Sequence, residues 1–172
     1  MIQIRNGCFE TNSSSTHAII IANEEPSFFG NIELSIGEFG WGYNVYNYDS
    51  DKASYLYTAA CELYQKDVFD DIADMLAPYG VNCYSHKRAE FYTDPNYSYT
   101  YLNNGYIDHV EECKEFVDYV MSDPDHLVCF LFNDESYIVT GNDNCDDIDE
   151  QWFQRKIHKA DSYEHKTFFK GN

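Results

Sequence analysis

Basic residues are scarce in this chain of 172 residues, which has 11 Lys and Arg against 30 Asp and Glu. The formal net charge is −19 and the sequence pI is about 4.3. A surface with this balance repels phosphates, which argues against direct binding to nucleic acids or anionic membranes. The partner that such a charge favours is a basic protein.

Long apolar runs and paired cysteines are also missing. No run approaches the ~20 apolar residues that span a bilayer, and the first residues lack the apolar stretch of a signal peptide. The six cysteines are spread along the chain without a CxxC pair, which excludes zinc ribbons and redox motifs. Free thiols are typical of a reducing cytosol, so we expect a cytoplasmic protein.

The apolar residues that are present suffice for one folded domain over residues 1–172, since 44% of the chain is hydrophobic. Helical spacing predicts helices over residues 51–64, 67–77, 106–121 and 150–159. Apolar or alternating runs predict strands over residues 2–5, 18–22, 32–36, 81–84, 97–101, 126–132, 136–140 and 167–169. This order predicts an α+β fold, an antiparallel sheet with two or three helices packed on it. Regular βαβ alternation is absent, which disfavours a doubly wound nucleotide-binding fold.

Hydroxyl side chains are concentrated in one early segment, Glu10-Thr11-Asn12-Ser13-Ser14-Ser15-Thr16-His17. One interpretation is an anion or nucleotide site in which His17 activates a hydroxyl of Ser13, Ser14 or Ser15, with Glu10 as the nearest carboxylate. The other is a polar loop whose side chains bond their own backbone. No Gly-rich phosphate loop accompanies the segment, and both interpretations stay open.

The same segment carries a family resemblance. Residues 5–17, Arg-Asn-Gly-Cys-Phe-Glu-Thr-Asn-Ser-Ser-Ser-Thr-His, resemble the amino-terminal signature RxGxFETNSSSxH of small uncharacterised proteins of phages and their bacterial hosts. The resemblance covers about the first 20 residues, and Cys8 stands where an aliphatic residue is expected. It implies a phage or mobile-element origin, a bacterial cytoplasm and, by association, a counter-defence role such as that of an anti-CRISPR protein. It implies no catalytic residues.

Acidic residues cluster in three places. The clusters are Asp108, Glu111, Glu112, Glu115 and Asp118; Asp67, Asp70, Asp71 and Asp74; and Asp143, Asp146 and Asp147, followed by Asp149 and Glu150. On a helix, carboxylates on adjacent turns lie roughly 5–6 Å apart, a spacing comparable to that of phosphates along a nucleic acid strand. The functional interpretation is a nucleic-acid mimic that occupies the basic channel of its partner. The alternative is an ordinary solvated helix face.

The charge is divided unevenly along the chain. Residues 1–150 carry a net charge of −22, whereas residues 151–172 carry +3. This basic carboxy-terminal segment is expected to fold back on an acidic cluster or onto a second copy in a homodimer. Tyr97, Tyr99 and Tyr101 share one face of their predicted strand, where they serve either as an exposed anchor for a partner or as part of the core.

Metal and cofactor signals are weak. Residues 142–150 are rich in carboxylates, but the EF-hand order of ligands fails at Cys145 and the turn glycine is missing. His109 and Cys113 make half of a metal site without a second pair at ligand spacing. We therefore expect neither a metal nor a cofactor.

Two functions follow as expectations. The first is an acidic phage-type effector that binds and inhibits a nucleic-acid-handling host protein, such as an effector nuclease, through the acidic clusters and tyrosines. The second is a nucleotide- or protein-modifying enzyme that uses the segment ending at His17.

Overall fold

The elements are described in a computed structural model, which covers residues 15–24, 26, 29–96, 99–142 and 165–170. The strands are β1 (Ser15–Ala22), β2 (Ile32–Glu33), β3 (Glu38–Phe39), β4 (Asn44–Tyr46), β5 (Cys83–Tyr84), β6 (Phe91–Asp94), β7 (Tyr99–Leu102), β8 (Tyr106–Ile107), β9 (Tyr137–Asn142) and β10 (His165–Lys170). The helices are α1 (Asp49–Tyr64), α2 (Phe69–Leu76), α3 (Lys114–Val120) and α4 (Pro124–Phe132), and 3-10 turns cover Ala77–Tyr79 and Val110–Cys113. The predicted α+β class is confirmed, with four α-helices in the described part of the chain.

The largest sheet is antiparallel and has the order β10-β1-β9-β4. β1 is fully buried: its backbone pairs with a strand on each side, and its β-branched run Ile19, Ile20 and Ile21 packs into apolar clusters on both faces of the sheet. Ile19 and Ile21 face the main core, which the helices share, whereas Ile20 belongs to a small cluster on the other face. This alternation turns the side chain of His17 to the same side as Ile19, toward the helices.

The predicted strand over residues 126–132 is wrong, because this segment forms helix α4. Asp123 is its N-cap and accepts a hydrogen bond from the backbone N–H of Asp125 at 2.8 Å, and Pro124 occupies the first turn. Both features are helix-start signals. The buried Leu127, Val128 and Leu131 also repeat at helical spacing, a pattern that a continuous apolar run conceals.

The predicted long helix over residues 106–121 is also wrong in its first half. Tyr106 and Ile107 instead pair with β3 as the parallel strand β8. His109 then adopts a left-handed conformation with φ of 56°, which interrupts any helix, and the 3-10 turn precedes the short helix α3. The acidic residues from Asp108 to Asp118 therefore do not form one helical stripe.

The other predictions agree in position and differ in length. The helices over residues 51–64 and 67–77 correspond to α1 and α2, and the strand over residues 136–140 corresponds to β9. The strands over residues 32–36, 81–84 and 97–101 are found as the shorter β2, β5 and β7. The predicted elements over residues 2–5 and 150–159 lie outside the described residues. None of the described helices has the length and apolar character that crossing a bilayer requires.

The part of the basic segment that the structure describes forms strand β10. β10 pairs along β1, with Phe168 opposite Ile19 and Lys170 opposite His17. The ammonium of Lys166 lies 5.8 Å from the ring centroid of Tyr119 on α3. Strand β10 thus contacts α3. This helix follows the turn Val110–Cys113, which carries Glu111 and Glu112 and is called the acidic turn below.

Candidate functional site

His17 is the buried polar centre of the site, with only 2% of its surface exposed. Its Nε2 lies 2.9 Å from the carbonyl oxygen of Asp108. Because a carbonyl only accepts, Nε2 must carry the hydrogen. The hydroxyl of Ser15 donates to the same carbonyl at 3.0 Å and lies 3.0 Å from Nε2. Two side chains of the predicted hydroxyl-rich segment therefore hold one peptide carbonyl far along the chain.

The other ring nitrogen of His17 belongs to a second buried contact. Tyr55 on α1 places its hydroxyl 2.7 Å from Nδ1, which accepts the hydrogen bond because Nε2 carries the ring hydrogen. The Tyr55 oxygen lies 3.2 Å from the Sγ of Cys113, so it is placed to accept from that thiol. The network runs from Cys113 through Tyr55 and His17 to the Asp108 carbonyl.

Burial keeps this network uncharged. Burial lowers the pKa of His17, an effect that the Asp108 carbonyl opposes, and raises the pKa of Tyr55 well above its ordinary value. Burial also raises the pKa of the Cys113 thiol to about 12, and the carboxylates of Glu112 and Glu62 add to the shift. A protonated thiol is a poor nucleophile. A serine hydroxyl whose hydrogen is bonded to a carbonyl oxygen is a poor nucleophile as well. This arrangement favours binding over nucleophilic catalysis.

A cavity of about 560 Å³ lies beside His17. Three kinds of side chain line it: the carboxylates of Glu111, Glu112 and Glu115, the apolar groups of Ile19, Phe116, Phe168 and Phe169, and the polar groups of His17, Cys113 and Thr167. The two features that the sequence offered as separate candidates, the segment ending at His17 and an acidic cluster, therefore meet at one cavity. Its volume lies within the range of small-ligand sites.

The three cavity carboxylates lack a positive counterpart in the described part of the chain. None of Glu111, Glu112 and Glu115 forms an ion pair with a described residue. The Oε2 atom of Glu112 is buried and accepts no hydrogen bond from those residues. A buried acceptor without a donor costs free energy.

A fourth carboxylate, Glu62 of α1, contacts the backbone shortly before the acidic turn. It accepts a hydrogen bond from the backbone N–H of Ile107 at 2.8 Å. Burial raises its pKa to about 7, the Ile107 hydrogen bond opposes this, and the carboxylates of Glu111 and Asp108 add to it. Negative charge is therefore already crowded around the cavity.

No protein-family model, curated protein or solved structure matches the chain. Its function has to be inferred from the geometry of this site.

The remaining acidic candidates are mostly paired within the protein. Asp67 accepts from Arg88 at 2.8 Å, and Asp70 lies 3.9 Å from the same guanidinium. Asp71 pairs with Lys66 at 2.7 Å. Asp118 accepts from Tyr64 at 3.0 Å and pairs with Lys114. Asp74 is exposed on α2, which contributes no described residue to the cavity lining.

The tyrosines of the β6–β7 hairpin lie at the surface. Tyr99 and Tyr101 are 57% and 41% exposed, and their rings stack with centroids 6.2 Å apart. Tyr92, directly opposite Tyr101, extends the row with a centroid distance of 5.4 Å. This face is an exposed aromatic row and not part of the core.

Several predicted residues lie outside the described part of the chain, namely Glu10, Ser13, Ser14, Tyr97, Asp143, Asp146 and Asp147. The half metal site of His109 and Cys113 gains no further ligands, because no group of three ligating side chains occurs among the described residues.

The site also contains three residues that no sequence motif singles out, Tyr55, Glu62 and Gly40. Tyr55 fits the apolar helical pattern of α1 like any core residue, and Glu62 is an ordinary glutamate of the same helix. Gly40 has φ of +101°, and a Cβ there would lie 2.9 Å from the Cβ of Asp108 and 3.4 Å from Cε1 of His17. In the sequence, this position is marked only by the mixture of glycines and aromatic residues over residues 37–43.

Proposed function

We propose that this protein binds a basic, nucleic-acid-handling host protein and inhibits it, in the manner of a phage counter-defence effector. The observation that carries the proposal is the group of three carboxylates, Glu111, Glu112 and Glu115, which have no ion-pair partner among the described residues and share one cavity. The net charge of −19 adds long-range attraction for such a partner.

The contact surface is smaller than the sequence implied. Asp67, Asp71 and Asp118 are held by basic side chains of the protein itself, so they offer less free charge to a partner. The proposed contact therefore consists of the cavity carboxylates, with the exposed row of Tyr92, Tyr99 and Tyr101 as an aromatic anchor of the kind that interfaces favour. The α2 carboxylates are outside this contact.

The chain offers a closely matched control for this proposal. Glu111, Glu112 and Glu115 have the sequence spacing i, i+1 and i+4, and Asp70, Asp71 and Asp74 on α2 have the same spacing. Replacing either set by Lys changes the net charge by the same amount. We expect the Glu111/Glu112/Glu115→Lys variant to lose capture and inhibition of the host protein, and the Asp70/Asp71/Asp74→Lys variant to keep both with slower association.

The measurement is pull-down from a bacterial lysate at low and high salt, followed by competition with DNA or RNA for the captured protein. Competition by nucleic acid and strong weakening by salt are the expected results. Equal loss in both triple variants would show that only overall charge matters. Undiminished inhibition by the Glu111/Glu112/Glu115→Lys variant would remove this surface from the proposal.

The enzyme alternative has one observation in its favour, which is that His17 lines the same cavity as the carboxylates. Catalysis would require Nε2 to leave the Asp108 carbonyl before it could accept a proton from a hydroxyl. Turnover of a nucleotide or of a protein substrate that is lost in His17→Asn would establish this function. The binding function predicts no turnover in the wild type or in the His17→Asn variant.

A further inference from the structure

The cavity brings three carboxylates together. Its lining includes Glu111, Glu112 and Glu115, and none of them forms an ion pair with a described residue. The polar groups beside them, His17, Tyr55 and Cys113, already bond to one another and carry no charge. A ligand that pairs with these carboxylates must donate hydrogen bonds and bring positive charge.

The remainder of the cavity lining is mainly apolar and aromatic. Phe116 and Phe168 pack edge to face with centroids 5.8 Å apart and line the space together with Ile19. Aromatic faces attract cations, and the ammonium of Lys166 lies 5.7 Å from the ring centroid of Phe168. One aromatic ring of the cavity lining therefore already accommodates an ammonium of this chain.

These two kinds of lining residue suit a ligand with a compact positive end on an apolar stem. An ammonium directs three N–H groups in three directions, which suits carboxylates that come from positions i, i+1 and i+4 of a turn and a helix. A guanidinium directs its donors within one plane and matches a single carboxylate best. The methylenes of an alkylamine can cover the phenylalanines.

We infer that this cavity binds an alkylammonium group, supplied either by a lysine side chain of the partner or by a free linear polyamine. The inference rests on the proposed function and names the chemistry that the cavity selects. A volume of about 560 Å³ has room for an extended chain of methylenes as well as one ammonium.

The experiment titrates the full chain with two probes, spermidine and a short peptide that carries one lysine, and follows binding by calorimetry at low salt. The same peptide with an acetylated lysine and the same peptide with arginine are the ligand controls. Glu112→Gln is the cavity variant, and Asp74→Asn on α2 is its matched control, which is exposed and not part of the lining. Glu115→Gln, at an exposed position, repeats the test in case Glu112→Gln does not fold.

We expect saturable binding that Glu112→Gln weakens at least tenfold, that Asp74→Asn changes less than twofold, and that acetylation of the lysine abolishes. Spermidine binding without peptide binding would identify the free polyamine as the source, and the reverse would identify a lysine side chain. Binding of neither probe, equal weakening in Glu112→Gln and Asp74→Asn, or tighter binding of the arginine peptide would overturn the inference.

The failures of the two proposals are distinguishable. If neither probe binds but the Glu111/Glu112/Glu115→Lys variant still loses the host protein, the inference fails and the proposed function stands. If the probes bind as expected but no basic partner is captured, the proposed function fails and the cavity remains an amine site.

Discussion

Replacing Glu62 by Gln should make the protein more stable at neutral and alkaline pH. Glu62 is partly buried, accepts one hydrogen bond from Ile107 N–H and lies near Glu111 and Asp108. Gln retains a side-chain oxygen that can accept the Ile107 hydrogen bond, but it removes the charge. The substitution therefore tests the electrostatic cost of the acidic site without removing its hydrogen bond.

The magnitude follows from the pKa. The pKa of Glu62 rises from 4.5 to about 7, and at about 1.36 kcal/mol for each tenfold change in proton affinity this corresponds to roughly 3 kcal/mol. Glu62 is partly accessible, so solvent screening reduces the expected gain to about 1–2 kcal/mol. The folded state binds this proton more tightly than the unfolded chain does. The contribution of Glu62 to stability is therefore full below pH 4.5, falls as the pH rises to about 7, and stays low above that value.

The assay is urea unfolding of the wild type, Glu62→Gln and the exposed control Glu90→Gln at several pH values between 4 and 8, because differences from the wild type cancel the titration of other groups. Glu62→Gln should gain stability over the wild type as the pH rises from 4.5 to 7, whereas Glu90→Gln should follow the wild type. A Glu62→Gln variant that is less stable than the wild type at pH 8, or a difference that does not change with pH, would refute the electrostatic reasoning.

Two further substitutions test the packing of the site. Tyr55→Phe deletes the hydroxyl between His17 and Cys113, leaves Nδ1 of His17 without its donor, and should cost about 1–3 kcal/mol in urea unfolding; a cost near zero would contradict the buried network. Gly40→Ala forces a side chain at φ of +101° and brings a Cβ within 2.9 Å of the Asp108 Cβ, so it should cost about 2 kcal/mol or more. Gly42→Ala, with no atom within 4 Å of an added Cβ, should cost less than 1 kcal/mol, and equal costs at the two glycines would contradict the strain argument.

The parts of the fold that could be predicted are those whose signals are local. The run at residues 18–22 and the helical spacing of α1 each identify an element without reference to the rest of the chain. α4 was misassigned because a helix that is apolar on most sides has the same composition as a buried strand. Only its start, Asp123 followed by Pro124, distinguishes the two.

The site itself was predictable only in part. His17 and the glutamates at positions 111, 112 and 115 stood out by residue type and spacing. Tyr55 did not, since a tyrosine within a helical apolar pattern is ordinary core. The carbonyl of Asp108 could not be found at all, because every residue has one and its role depends on β8 pairing with β3. That pairing joins residues far apart in the chain, which no local pattern specifies.

The peptide of Asp108 connects the two features that the sequence offers as alternative sites. Its N–H donates to the carbonyl of Phe39 at 3.0 Å, and its own carbonyl accepts from both Ser15 and His17. The chain then turns at His109 into Val110–Cys113, the segment that carries Glu111 and Glu112. Ser15 and His17 thus anchor the start of the acidic turn, and the turn supplies the charge. A catalytic His17 would have to release the carbonyl that holds this turn, whereas a binding site needs the anchor intact. Under the proposed binding function, His17 therefore positions the turn that carries the carboxylates.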